Sequence, residues 1–437
     1  MKLKQHHLPG LVVTDHEFRA PLDYSDPTGQ SIRLFAREVT SAAHHGKELP
    51  WLLFLQGGPG FQAPRPGLTT HGVLKRGLKE FRVLLLDQRG TGLSERVSHT
   101  SLVALGDSTA QAAYLRNFRA DSIVKDAELV RAALLKPNER WTLVGQSYGG
   151  FIATSYLSTA PEALAAVLIT GGLPPTQCAV DDVYQATAQR VVAKNKLFYR
   201  RYPDDAAQVS KILDTLKSSH TLLPNGDRLT PERFLQIGIL FGFSYGFETV
   251  HYLIEEAFDN TADISYSFLR EFESNLHFDT NPIYALLHEP IYCEGVPSNW
   301  SAARVIGRLP EFRHSASAPT LFTGEMIFPW MFEQYGILKP LRETANILAQ
   351  MTDWGALYDL KALRRNTVPV AAAIFYDDMY VDRELSERTA SIIQGIKLWV
   401  TNEFEHDAIR SSGELVLDKL LALLRGNTAY SAGLITS

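Results

Sequence analysis

Gly145-Gln146-Ser147-Tyr148-Gly149 has the G-x-S-x-G pattern of a serine placed to act as a nucleophile. Its mechanical logic is a tight strand-to-helix turn that lifts the hydroxyl above a sheet. The glycines leave room where a side chain would collide with the neighbouring strand and helix. A serine hydroxyl is a poor nucleophile by itself, so it needs a general base, and the base needs a carboxylate to orient it. In this kind of turn the three groups follow in the order Ser, Asp or Glu, His. Of the 13 histidines, only His406 lies in the C-terminal stretch where strand and helix patterns alternate again. His251 and His288, by contrast, read as structural. The acid should follow the preceding strand, where Phe375-Tyr376-Asp377-Asp378 offers two adjacent carboxylates. Neighbours at a strand end point to opposite sides, so one of them addresses His406. Asp378 is favoured; Asp377 is the alternative.

A second motif, Gln56-Gly57-Gly58-Pro59-Gly60, directly follows an apolar run at 51–55. A glycine pair lets the backbone turn its N–H groups toward one point, as an oxyanion hole requires. The second donor expected is the N–H of Tyr148, the residue after the nucleophile.

These groups must be held by elements that end where they begin. Short apolar runs at 51–55, 82–86 and 141–144 suit strands buried on both faces, and 31–40 and 165–170 also read as strands. Helical spacing appears at 120–135, with Asp121 near its start, and at 148–159. Strands alternating with helices imply βαβ units and a mostly parallel sheet. The texture then changes. From 177 to 365 the patterns are helical and aromatic, with helices expected at 181–199, 206–216, 249–258 and 263–272. The alternation returns with a strand at 368–375, a helix at 384–393, a strand at 397–400 and a final amphipathic helix at 413–424. The expected architecture is an α/β core at 1–176 and 366–437, interrupted by a helical cap at 177–365.

The whole chain bounds the partners. A formal net charge of −5 over 437 residues, with 45% hydrophobic and 21% charged residues, argues for a soluble globular protein and against nucleic acid as a partner. No apolar run approaches the roughly 20 residues of a membrane helix. The polar start of the chain lacks the apolar stretch of a signal peptide. Two cysteines, Cys178 and Cys293, make neither a disulfide framework nor a metal quartet. A cytoplasmic location without membrane contact is expected, and neither metal nor cofactor.

Three stretches together resemble the prolyl aminopeptidase (proline iminopeptidase) family of α/β-hydrolases: Gln56-Gly-Gly-Pro-Gly60, Leu86-Asp-Gln-Arg-Gly-Thr-Gly-Leu-Ser94 and Gly145-Gln-Ser-Tyr-Gly-Gly150. The family usually shows H-G-G-P-G, D-Q-R-G-x-G-x-S and G-x-S-W/Y-G-G, and the Asp-Gln-Arg-Gly piece separates it from generic esterases. The resemblance is tight over about 50–172 and looser at the Asp and His segments; only the larger members carry so long an insertion. It implies an α/β-hydrolase fold with a helical cap and release of N-terminal proline from peptides without metal or cofactor. Carried over, it makes Ser147 the nucleophile, His406 the base, Asp378 the acid, and the N–H groups of Gly58 and Tyr148 the oxyanion donors.

Two departures stand out. Gln56 occupies the usual histidine position before the glycine pair, and Phe375-Tyr376 stand where shorter members have Gly-Arg. The proline that often follows the acid by four residues is Asp382 here, when phased on Asp378. The family also implies carboxylates in the cap that hold the substrate's cationic amine, and a buried positive charge needs such a partner. The candidates are Glu248, Glu289 and Glu294, with Phe241, Phe243, Tyr245, Tyr292 and Trp300 as possible walls of a pyrrolidine pocket. An esterase, amidase or lactonase on small apolar substrates would need no such carboxylate. A catalytically silent scaffold would need a lost triad member. Arg89 reads as a structural brace after the strand at 83–86.

Overall fold

The computed structural model describes residues 2–67, 72–260, 263–313 and 318–427. Among them, β1 (Lys2–Leu8), β2 (Leu11–Pro21), β3 (Ser31–Ser41), β4 (Trp51–Leu55), β5 (Arg82–Asp87), β6 (Trp141–Gln146), β7 (Leu164–Thr170), β8 (Val370–Phe375) and β9 (Lys397–Thr401) form one sheet. Its order is β1-β2-β3-β5-β4-β6-β7-β8-β9. Pairing is parallel from β5 across to β9 and antiparallel among β1, β2, β3 and β5.

The central strands read as unbroken apolar runs because both faces are covered. In β4, Leu53 and Leu55 enter the cluster beneath helices Ala120–Leu134 and Tyr148–Thr159. Leu52 and Phe54 point the other way, into the cluster with Val416, Leu417 and Leu420 of helix Gly413–Arg425. Side chains alternate along a strand, so a strand covered twice must be apolar at every position.

Most expected elements lie within a residue or two of their places. The N-terminal hairpin and two helices, each displaced by three residues, are exceptions. β1 is an exposed edge strand of Lys, Gln and His, which gives no apolar alternation to read. The helix expected at 249–258 spans Gly246–Glu255 instead, starting where a Cβ on Gly246 would lie 1.7 Å from the Leu240 carbonyl oxygen. The helix expected at 263–272 is Tyr266–Asn275, capped by the Ser265 hydroxyl, which accepts from the Phe268 N–H at 3.1 Å.

Between β7 and β8 the chain is helical, its longest helix being Val180–Arg201. Among the described residues there, β pairing is limited to two isolated bridges, Leu222–Arg228 and Phe258–Ile264. Of the segments assigned to the core, residue 1, residues 68–71 and residues 428–437 lie outside the described residues. Cys178 and Cys293 are free thiols. No described helix is long and apolar enough to cross a membrane. Arg89 is the brace that its position suggests: fully buried, it forks onto Asp126 at 2.6 and 2.7 Å and donates to the Leu22 and Asn117 carbonyls.

Candidate active site

Four segments at the C-terminal ends of parallel strands converge on one point, the place where open α/β sheets build their sites. After β6 the chain turns through Ser147, whose φ of 54° and ψ of −126° are strained for a residue with a side chain. Close approach holds that turn. A Cβ on Gly149 would lie 2.0 Å from the Leu55 carbonyl oxygen, and one on Gly145 would lie 2.4 Å from that of Gly149. Any larger residue would push helix Tyr148–Thr159 off the sheet. The Ser147 N–H donates to Thr170 at 3.0 Å, and its carbonyl accepts from Gly150 at 2.7 Å. The side chain is thereby left as the only free part of the residue.

After β4, the Gln56-Gly57-Gly58 backbone passes directly against that serine. A Cβ on Gly57 would sit 2.9 Å from the Ser147 Cβ. Gly58 has φ +133°, a conformation that L side chains rarely adopt, and lines the same cavity as Ser147. Neither the Gly58 nor the Tyr148 N–H donates to a backbone carbonyl elsewhere among the described residues. Tyr148 opens its helix, where the first N–H groups lack partners. At Gln56, the carbonyl accepts from Gln88 Nε2 at 2.8 Å.

After β8 the two adjacent carboxylates part. Asp378 is buried, and its Oδ2 lies 2.7 Å from His406 Nδ1. Its Oδ1 accepts from the Tyr380 and Val381 N–H groups at 2.8 and 3.0 Å, which fixes the carboxylate in place. Asp377 is exposed. Asp382 caps helix Arg383–Ile392, accepting from Glu384 and Leu385, and pairs with Arg190 at 2.8 Å. At that helix start a capping aspartate does the work of a helix-initiating proline. After β9, His406 is buried beneath the Tyr380 ring, 4.7 Å centroid to centroid. Burial pulls the imidazole pKa down, but the Asp378 charge and hydrogen bond, helped by Glu325, outweigh it and hold it above the ordinary value.

Ser147, Gly58 and His406 line one cavity of about 370 Å³, with Phe61, Phe243, Tyr245, Phe278, Tyr284 and Tyr380 among its apolar walls. The glutamates expected there are elsewhere. Glu248 is partly exposed and paired with Arg201 at 2.5 Å. Glu289 is buried but serves helix Ser301–Arg308, accepting from the Ser301 and Ala302 N–H groups at 3.0 and 2.9 Å. Glu294 is exposed and accepts from the Leu357 N–H at 2.6 Å. None of the three lines the cavity. Of the aromatic candidates, Phe243 and Tyr245 line it; Phe241 stacks on Phe198, Tyr292 packs on Phe151 and Tyr184, and Trp300 donates to Asn346.

The carboxylate facing the cavity is Glu325. It accepts from the Tyr284 hydroxyl at 2.5 Å, and its other oxygen lies 3.5 Å from His288 Nε2. His288 in turn meets the Tyr184 hydroxyl at 3.1 Å through Nδ1, so it orients a carboxylate rather than filling core. Burial of Glu325 pushes its pKa up, but His288 and the two hydrogen bonds overcome that and hold it below the usual carboxylate range. The Tyr284 hydroxyl, pushed far up by burial, stays a donor. The sequence did hold a signal for Glu325: it is a solitary charge in the apolar run Leu321-Phe-Thr-Gly-Glu-Met-Ile-Phe328, and a charge in such a run must be paired or functional.

A family model described as the alpha/beta hydrolase fold matches residues 50–246. The chain is 47% identical over 419 residues to a proline iminopeptidase of Aeromonas sobria, covering 96% of this chain and 98% of that protein. It is 37% identical over 431 residues to the proline iminopeptidase aneH of Aspergillus aculeatus, covering 96% and 95%. A solved structure of a proline iminopeptidase-related protein from Thermus thermophilus is similar with 16% identity and a TM-score of 0.39, over 94% of this chain and 99% of that one.

Proposed function

The chain belongs to the proline iminopeptidase family and has the α/β-hydrolase fold, and from that premise we propose a serine aminopeptidase that releases N-terminal proline through a prolyl-Ser147 intermediate. Ser147 is the nucleophile, His406 the base and Asp378 the residue that orients it. The segment 177–365 acts as a cap over them. The observation that carries the reading is an anionic carboxylate, Glu325, in the same cavity as the serine and histidine.

The steps follow from the placement. The protonated pyrrolidine nitrogen pairs with Glu325, and the ring packs on Phe61, Phe243 and Tyr380. The scissile carbonyl oxygen points at the Gly58 and Tyr148 N–H groups. Ser147 Oγ attacks as His406 Nε2 takes its proton. The carbonyl oxygen gains charge in the transition state, and one preorganised donor there is worth about 3–4 kcal/mol. Asp378 keeps Nδ1 protonated, so that Nε2 is the free base. The imidazolium then protonates the leaving amine, the C–N bond breaks, and water attacks the ester with His406 again as base.

The aromatic walls of the cavity suit the apolar pyrrolidine ring. Esterase chemistry would need no charge beside the serine, whereas the ionised Glu325, held by His288 and Tyr284, offers a partner to a cationic substrate. The test is turnover of proline 4-nitroanilide against leucine 4-nitroanilide, N-acetylproline 4-nitroanilide and 4-nitrophenyl butyrate. Proline 4-nitroanilide should lead the other anilides, with the acetylated form at least tens of times slower than the free one. Equal turnover of free and acetylated proline, or turnover of the ester alone, would overturn the aminopeptidase reading.

A further inference from the structure

A second cavity, of about 470 Å³, adjoins the catalytic one and shares Phe61, Gln146, His277 and Arg410 with it. No carboxylate is among the described residues lining it, whereas Arg96 and Arg410 both are. Both arginines are exposed at its mouth. Arg96 donates to the Thr280 carbonyl at 3.3 Å and Arg410 lies 5.8 Å from the centre of the Phe243 ring; neither forms an ion pair among the described residues. The other arginine nearby, Arg65, is committed to Asp87.

At the junction of the two cavities sits Gln146, immediately before the nucleophile. Its Oε1 is buried and without a hydrogen-bond partner among the described residues. The Gln146 side chain lines both cavities and so joins the catalytic one to the second.

We propose that this second cavity holds the leaving part of the peptide, and that Arg96 and Arg410 bind its C-terminal carboxylate. Glu325 then serves the ammonium in the catalytic cavity, and Arg410 at the junction with Arg96 in the second cavity serves the carboxylate, the order of a short peptide's own termini. The consequence is a preference for short peptides with a free carboxyl end. The inference rests on the proline aminopeptidase reading.

The test is the ratio of kcat/KM for Pro-Gly-Gly to that for Pro-Gly-Gly amide, at low salt, with proline 4-nitroanilide as the reference substrate. A ratio within each variant cancels any damage to the reacting groups. The wild-type ratio should be at least about tenfold, since charge-assisted hydrogen bonds to a carboxylate are the strong ones. It should fall toward unity in the double variant Arg96→Gln/Arg410→Gln, and shrink with added salt. If the double variant does not fold, Arg96→Gln alone should lower the ratio about threefold. A wild-type ratio near unity, or a ratio that survives the substitutions, overturns the carboxylate site while proline 4-nitroanilide turnover leaves the aminopeptidase reading intact. No proline released from any of the three substrates overturns both.

Discussion

The floor of the Ser147 cavity comes from the loops after β4, β6, β8 and β9, whereas its roof comes from residues spread between β7 and β8. The floor is held by backbone. Gly149 against the Leu55 carbonyl and Gly145 against Gly149 leave the serine one conformation, and two N–H groups pin Asp378. The roof is held by side chains. Glu325 depends on Tyr284 and His288 and, behind them, on Tyr184, so that three separate stretches of the chain meet there. Backbone constraints recur as short motifs, while a side-chain network of this kind has no fixed spacing. The two walls should therefore fail differently: substitutions in the floor remove the chemistry, and substitutions in the roof change which substrate receives it.

The largest effect belongs to the proposed nucleophile. Ser147→Ala should lower kcat by about 10⁶ while leaving the thermal unfolding midpoint close to that of the parent protein. Substantial residual turnover in purified protein would break the distinction at its floor. Next comes the proposed orienting acid. Asp378→Asn should reduce kcat by roughly 10⁴, through the wrong imidazole tautomer, and Asp377→Asn should cost no more than a few-fold. The opposite ranking would show that the His406–Asp378 pair is not the working one.

The smallest effect couples the walls. His406 must be neutral to accept a proton, and its pKa stands above the ordinary value of 6.5. Turnover should therefore be lost as pH falls, with the acid limb of kcat/KM centred above that value. Negative charge on Glu325 stabilises the imidazolium, so Glu325→Gln should move this limb to lower pH; a limb that stays in place would mean the two groups are not electrostatically linked.

How much was legible follows the same division. Ser147, the glycine pair and His406 could be read because each follows a strand that announces itself as an apolar run. The sequence favoured Asp378 but left Asp377 open; it is Asp378 that lies 2.7 Å from His406, held there by the Tyr380 and Val381 N–H groups, contacts that no pattern displays. In the roof, a glutamate near aromatics was too common a feature to rank. Glu289 and Glu325 both sit as lone charges in apolar runs, and both are largely buried. What distinguishes them is the partner, a helix start for Glu289 and the open cavity for Glu325, and partners depend on tertiary contacts across 12 to 41 residues of chain. Strand β1 was illegible for a simpler reason: a polar edge strand lacks the alternation that burial imposes.

The central claim, that Glu325 makes this hydrolase an aminopeptidase, is tested most directly by kcat/KM of Glu325→Gln on proline 4-nitroanilide and on an uncharged 4-nitrophenyl ester. Loss of a partly desolvated charge partner costs about 2–5 kcal/mol, so the anilide should fall by roughly 30- to 5000-fold, with the ester changed less than about threefold. An anilide rate that stays near that of the parent protein, or an equal fall on both substrates, would contradict it.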